Sequence, residues 1–295
     1  MNFQQWLIEQ NVEREKSPRT VAAYLADVAL YEKWFAKEYR EVLSPAKLHV
    51  HDLKRYRDEL ALTMKPASIQ RRLAAVQAYL RFGWATGQVD EAVNPFANLR
   101  RPRQVRGAVR SLSTRDWNGL LKAATNDSPL LSDYEHRLNV RDYACILLMG
   151  RAGLRVAELC ALTLGDVQTD PERGLVVVRH GKGNKHREVP LNADVAEAVR
   201  AWIQVRSHGG GDYLFTGKGS EHLTPRSVQR SLKQLGQSAG VIVSPHMLRH
   251  TFANHLAQVK RVSLDTVMVL MGHEDIRSTI RYTRPTADQL REAVA

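Results

Sequence analysis

Cysteine is nearly absent from this 295-residue chain: there are two, Cys145 and Cys160, and they form no CxxC pair. That scarcity excludes a disulfide scaffold and a cysteine-rich zinc module. Each lies in a stretch that reads as apolar helix, so each is expected to be a core thiol in a reducing compartment. Long apolar runs are missing as well. The longest, Ala144 to Met149, falls far short of the roughly 20 residues of a membrane-spanning helix. The opening MNFQQWLIEQNVEREK has no apolar signal core behind a basic start. A soluble, cytoplasmic protein with no membrane partner is expected. There is no HExxH pair, and GKGNK at Gly181 to Lys185 lacks the GxxxxGK(S/T) spacing of a Walker A loop. Acids are in short supply: 31 Asp and Glu face 43 Lys and Arg, a formal charge of +12. Such a charge attracts polyanions, with DNA, RNA and anionic membrane surfaces all candidates.

What is present is a globular composition, 43% hydrophobic, with enough length for two domains that each hold a core. Residues 1–99 read as a helical bundle. Val21, Tyr24, Leu25, Val28, Tyr31, Trp34 and Phe35 recur at helical spacing after Ser17-Pro18. Asp52 to Leu62 and Ser68 to Trp84 follow as further helices. Lys54, Arg55, Arg57, Arg71 and Arg72 give that bundle a basic side. Residues 100–111 hold five arginines, Arg101, Arg103 and Arg106 among them, with no acid. This reads as a linker that touches a phosphate backbone. From 112 to 295 a second domain is expected, mainly helical. Ser113 and Thr114 offer an N-cap, and helices are predicted over 139–149, 156–162, 193–205, 225–239, 246–259, 263–270, 277–282 and 287–295. The runs at 175–179 and 187–191 read as two strands of a hairpin.

Within this second domain six residues stand out: Arg155, Lys182, His246, Arg249, His273 and Tyr282. Singly each has a bland reading, such as a solvated arginine, a turn lysine or a half-buried ring. Together, two guanidiniums, one ammonium and two imidazoles suit a phosphate whose charge grows during reaction, and a nearby tyrosine suits a nucleophile. Glu158, one turn beyond Arg155, can orient it. His246, His250 and His255 raise zinc as an alternative, though no HExxH and no cysteine pair completes such a site.

The ordered blocks are GLRVAEL, GKGNKHREVPL, HMLRHTF, MGH and RYT, with His273 and Tyr282 nine residues apart. In them the chain resembles the tyrosine recombinase (phage integrase) family, its Xer-like members in particular. SPRTVAAYLADV also resembles the opening of that family's helical core-binding domain, with Val28 where leucine is usual. The resemblance implies a mainly α, two-domain DNA clamp with a small β-sheet in its catalytic domain. It implies that Tyr282 attacks a scissile phosphate, leaving a 3′-phosphotyrosyl bond and a free 5′-hydroxyl, and that exchange passes through a Holliday junction. Arg155 and Arg249 would hold the non-bridging oxygens, Lys182 (or Lys185) would protonate the leaving oxygen, and His246 and His273 would bond the phosphate. No cofactor or metal is implied. The implied partners are double-stranded DNA with a specific site and a homotetramer, or a heterotetramer with a related recombinase. Both chromosome-dimer resolution and mobile-element integration, excision or resolution stay open. A non-enzymatic DNA binder and a strand-relaxing topoisomerase are the rival classes. Arg151 and Met271 depart from the family's usual threonine and leucine, and the connector at Asn126 to Arg137 is longer than usual. None of the three falls on a catalytic position.

Overall fold

In a computed structural model the chain divides into two compact units, Met1–Gly107 and Ala108–Ala295. The structure describes residues 1–13, 18–102, 110–125, 131–170, 172–179, 186–206, 211–217 and 222–272.

The first unit is helical: α1 (Phe3–Glu13), α2 (Pro18–Tyr39), α3 (Val50–Ala61) and α4 (Pro66–Ala85). Prolines open α2 and α4, where the missing N–H costs nothing. Ile69, Leu73, Val76 and Leu80 form the inner face of α4 and are buried against α2, each contributing about 1.5–3 kcal/mol by leaving water. Aromatic rings fill the rest. Tyr31 packs edge-on to Tyr56 with centroids 4.9 Å apart, and Phe3 on α1 meets Tyr79 edge-on at 5.2 Å.

In the second unit α5 (Thr114–Ala124) begins at Ser113, whose side chain accepts from the Asp116 N–H. The next helix, α6 (Asp133–Arg151), starts six residues before the predicted Asn139. Ser132 and Glu135 form a reciprocal capping box there, so residues 133–137 of the supposed connector are helix. After α7 (Val156–Ala161) comes a three-stranded antiparallel sheet in the order β1 (Val167–Gln168), β2 (Leu175–Val178), β3 (Arg187–Pro190). β1 was not anticipated. The register pairs Val176 with Val189 and Val178 with Arg187. Val176, Val178 and Val189 are buried, which fixes the register, because a slip of one residue would turn them outward.

α8 (Ala193–Val205) packs along α6, and α9 (Pro225–Ala239) packs on α5. α10 (Pro245–Asn254) ends earlier than expected, giving way to a wider π-type turn over His255–Val259 before α11 (Leu264–Met271). The core is continuous from Trp117 and Leu120 through Ile146, Leu148 and Leu159 to Val195 and Leu248. Cys145 and Cys160 are buried and unbridged, and burial pushes the Cys160 thiol up to about 12, so both act as core apolar groups. Among the described residues no helix is long and apolar enough to cross a membrane. The two helices expected over 277–282 and 287–295 lie outside the described residues.

Candidate active site

A helix leaves its last carbonyls without partners inside the helix, and that end is the negative pole of its dipole. At the end of α11 three successive carbonyls are each taken by a different arginine. Arg187 Nε donates to the Leu270 carbonyl at 3.1 Å. Arg249 Nη2 donates to the Met271 carbonyl, and Arg155 Nη2 to that of Gly272 at 2.9 Å. Gly272 closes α11 in the left-handed region, φ +56°. A Cβ added there would stand 3.0 Å from Arg187 Nη1, so glycine both turns the chain and leaves room for the guanidinium.

The same three arginines surround one buried carboxylate, Glu158, whose side chain is 3% exposed. Arg155 reaches it twice: its backbone N–H donates to Oε2 at 2.8 Å and its Nη1 to Oε1 at 2.6 Å. Arg187 grips both oxygens, Nη1 to Oε1 at 3.1 Å and Nη2 to Oε2 at 2.7 Å. Arg249 Nη1 donates to the Gly153 carbonyl and lies 3.9 Å from Glu158 Oε2. Burial alone would push the Glu158 carboxyl up. The hydrogen bonds and charge of Arg187, and then those of Arg155, outweigh it and hold the group down to about 2. Three guanidiniums against one ionised carboxylate leave a positive surplus suited to an anion. Of the three, Arg155 is the most open, with 29% of its side chain exposed against 9% for Arg187 and 4% for Arg249.

Local sequence explains the convergence. Gly153, at φ +69°, turns the chain from α6 into α7, and a Cβ there would meet the Phe252 ring at 2.3 Å. Only glycine lets the Gly153-Leu154-Arg155 turn press onto α10, so that the Arg249 guanidinium meets the Gly153 carbonyl. α10 is fixed at its start by Ser244, which accepts from the Met247 N–H, with Pro245 behind it. His246 sits exposed in that first turn. Its ring lies edge-on to the buried His250, centroids 4.1 Å apart. Among the described residues no group of three metal-ligating side chains could hold an ion.

Of the six residues singled out in the sequence, the structure brings Arg155 and Arg249 together with Glu158, and sets His246 one turn before Arg249 on α10. Lys182, His273 and Tyr282 lie outside the described residues. Arg187 is the participant that sequence reading missed. It looked like one polar residue of a strand, and the usable signal was its position directly after the basic turn and opposite an inward-facing valine.

The basic side of the first unit is more tied down than its composition suggests. Lys54 is exposed. Arg55 pairs with Glu38 at 2.5 Å and lies over the Trp34 ring. Arg57 binds Asp58 and donates to the Arg100 carbonyl at 2.9 Å. Arg71 pairs with the buried Asp27. Arg72, expected on the outer face, is only 20% exposed and stands 3.9 Å from the same carboxylate. Burial raises the Asp27 carboxyl above its ordinary range despite both arginines. Arg101 donates to Gln77 at 2.6 Å. Arg103 and Arg106 lie outside the described residues.

Residues 111–289 match the phage integrase family, and residues 3–87 match the phage integrase N-terminal SAM-like domain. The chain is 34% identical to tyrosine recombinase XerC of Xanthomonas campestris pv. campestris, over 94% of this chain and 82% of that protein. It is also 34% identical to tyrosine recombinase XerA of Thermococcus kodakarensis, over 94% and 89% respectively. In fold it is similar to the XerH site-specific recombinase bound to palindromic difH substrate (TM-score 0.77, 19% identity, 95% of this chain and 80% of that one). It is similar also to a lambda integrase dimer bound to a COC′ core site (TM-score 0.72, 16% identity, 97% and 95%). The chain belongs to the tyrosine recombinase (phage integrase) family and is closely related to its Xer-type members. It is therefore an enzyme that breaks and rejoins DNA strands through a phosphotyrosyl intermediate.

Proposed function

We propose that this enzyme is a site-specific recombinase in which Tyr282 attacks the scissile phosphate and Arg155 and Arg249 bind its non-bridging oxygens. The observation that carries this is the convergence of Arg155 and Arg249 around one ionised, buried Glu158 at the end of α11, one residue before His273 in the chain. A guanidinium held by a carboxylate and a carbonyl is oriented before substrate arrives, so little reorganisation remains at the moment of reaction. Lys182 is the general acid for the 5′ oxygen, and His246 and His273 complete the phosphate contacts.

Residues 1–99 form the core-binding domain, 100–111 the arginine-rich linker, and 112–295 the catalytic domain. Lys54, Arg55, Arg57, Arg71, Arg72, Arg101, Arg103 and Arg106 supply backbone contacts to duplex DNA. The excess of cations favours this partner. Four protomers, all of this chain or paired with a related recombinase, act through a Holliday junction in the cytoplasm, without cofactor or metal. The biological task is chromosome-dimer resolution or the movement of a mobile element. Sequencing the DNA trapped covalently on the protein in its native cell tests this reading. One chromosomal locus supports resolution, and the ends of a mobile element support the second task. Adducts spread over the genome without a preferred site contradict site-specific recombination and favour strand relaxation.

A further inference from the structure

We propose that Arg187 is a positioning residue for strand cleavage, holding Arg155 in its phosphate-binding pose through the shared carboxylate of Glu158 and the end of α11. This rests on the reading of Arg155 as a ligand of the scissile phosphate.

The contacts divide the work. Arg187 turns all three of its guanidinium nitrogens to protein acceptors. Its guanidinium clamps both Glu158 oxygens while its Nε holds the Leu270 carbonyl. Arg155 uses the same two acceptor systems, Glu158 and the adjoining Gly272 carbonyl, and is the more open of the pair. Arg187 therefore fixes the two surfaces that fix Arg155. A carboxylate gripped on both oxygens cannot rotate about its terminal bond, and a planar fork is the only side chain that can grip it so. Lysine could meet Glu158 or the Leu270 carbonyl but not span both.

The backbone of Arg187 is itself held by the ladder of β3 against β2, opposite the buried Val178. On the facing strand end, Arg179 pairs with the buried Asp166. The turn-proximal end of the β2–β3 pair is thus bolted to two buried carboxylates, one of which is the hub of the arginine cluster. Had Arg187 served only to stabilise the sheet, an apolar residue at that position would do as well, and there would be no reason for its three donors to end on the groups that orient Arg155.

The test compares two trapped-cleavage substrates of the same cognate site, one with an ordinary scissile phosphodiester and one with a methylphosphonate. The methyl group removes the negative charge that Arg155 meets, so any defect in Arg155 placement costs less on the second substrate. Arg187→Lys and Arg187→Gln are measured beside Arg155→Ala as reference. Val189→Ala, a core change on the same strand, controls for simple loss of stability. Misplacement of a catalytic group by about 1 Å costs on the order of 10²-fold.

On the phosphodiester, both Arg187 variants are expected to slow adduct formation by about 10- to 100-fold. On the methylphosphonate that deficit should shrink by about tenfold, in step with Arg155→Ala, while Val189→Ala shows the same factor on both. Should Arg187→Gln fail to fold, Arg187→Lys keeps the charge and carries the comparison. Equal deficits on the two substrates, alongside a rescued Arg155→Ala, overturn the role of Arg187 alone. If Arg155→Ala itself is not rescued, the reading of Arg155 falls and this one with it.

Discussion

Replacing Glu158 by glutamine should destabilise the catalytic unit by an amount that depends on pH in a calculable way. The carboxyl is held at about 2 against an ordinary 4.5. That gap corresponds to about 3 kcal/mol of folded-state stabilisation at neutral pH. An independent route agrees: removing one partner from a buried ion cluster costs about 3–5 kcal/mol, because the arginines left behind lose their counter-charge. For a unit of this size, about 3 kcal/mol lowers the melting temperature by roughly 6–12 °C. The sign follows from the direction of the shift. A carboxyl whose folded value lies below its unfolded value stabilises fully above about pH 4.5 and loses that contribution as pH falls through about 2. The gap between wild type and Glu158→Gln should therefore narrow by more than about 1 kcal/mol between pH 7 and pH 3.5. Urea denaturation of both proteins at the two pH values measures it. A variant as stable as wild type at pH 7, or a gap unchanged at pH 3.5, would refute the ionised, arginine-clamped carboxylate.

Gly153→Ala combines a left-handed backbone with a Cβ driven into the Phe252 ring; a loss of about 2–5 kcal/mol in urea denaturation is expected. Lys182→Ala should be slow on ordinary DNA and substantially restored on a 5′-bridging phosphorothiolate, since sulfur leaves without needing the proton; rescue of Lys185→Ala instead would move the acid to the second lysine. EDTA should leave adduct formation largely intact, and loss of activity that zinc or magnesium restores would assign the phosphate charge to a metal.

Much of the scaffold was legible because its helices carry their own punctuation. α8 and α9 span the residues expected of them: Asn192 and Thr224 cap their first turns, and Pro225 and Gly240 bracket α9. The start of α6 was missed because residues 133–137 are exposed and mostly charged or polar, with no run of apolar residues, although the Ser132–Glu135 capping box was there to be read. β1 is two residues long, too short for any alternation. The π-type turn after α10 has no sequence signal, since its residues continue a helical pattern. At the site, Arg155, Glu158 and Arg249 were readable because their neighbours Gly153 and His246 set them in recognisable blocks. Arg187 was not, because its meaning depends on the end of α11, 83 residues away along the chain. Arg72 is less open than its helical position suggested, at 20% exposed beside a buried acid, Asp27, that only the fold brings near, whereas Arg71 reaches the same carboxylate from an exposed position.

The most direct test is Tyr282→Phe on a nicked suicide substrate of the cognate site. The substitution removes the attacking oxygen and keeps the ring, so the variant should bind the site as wild type does and form no covalent adduct. An adduct that persists in Tyr282→Phe would place the nucleophile elsewhere and contradict the account.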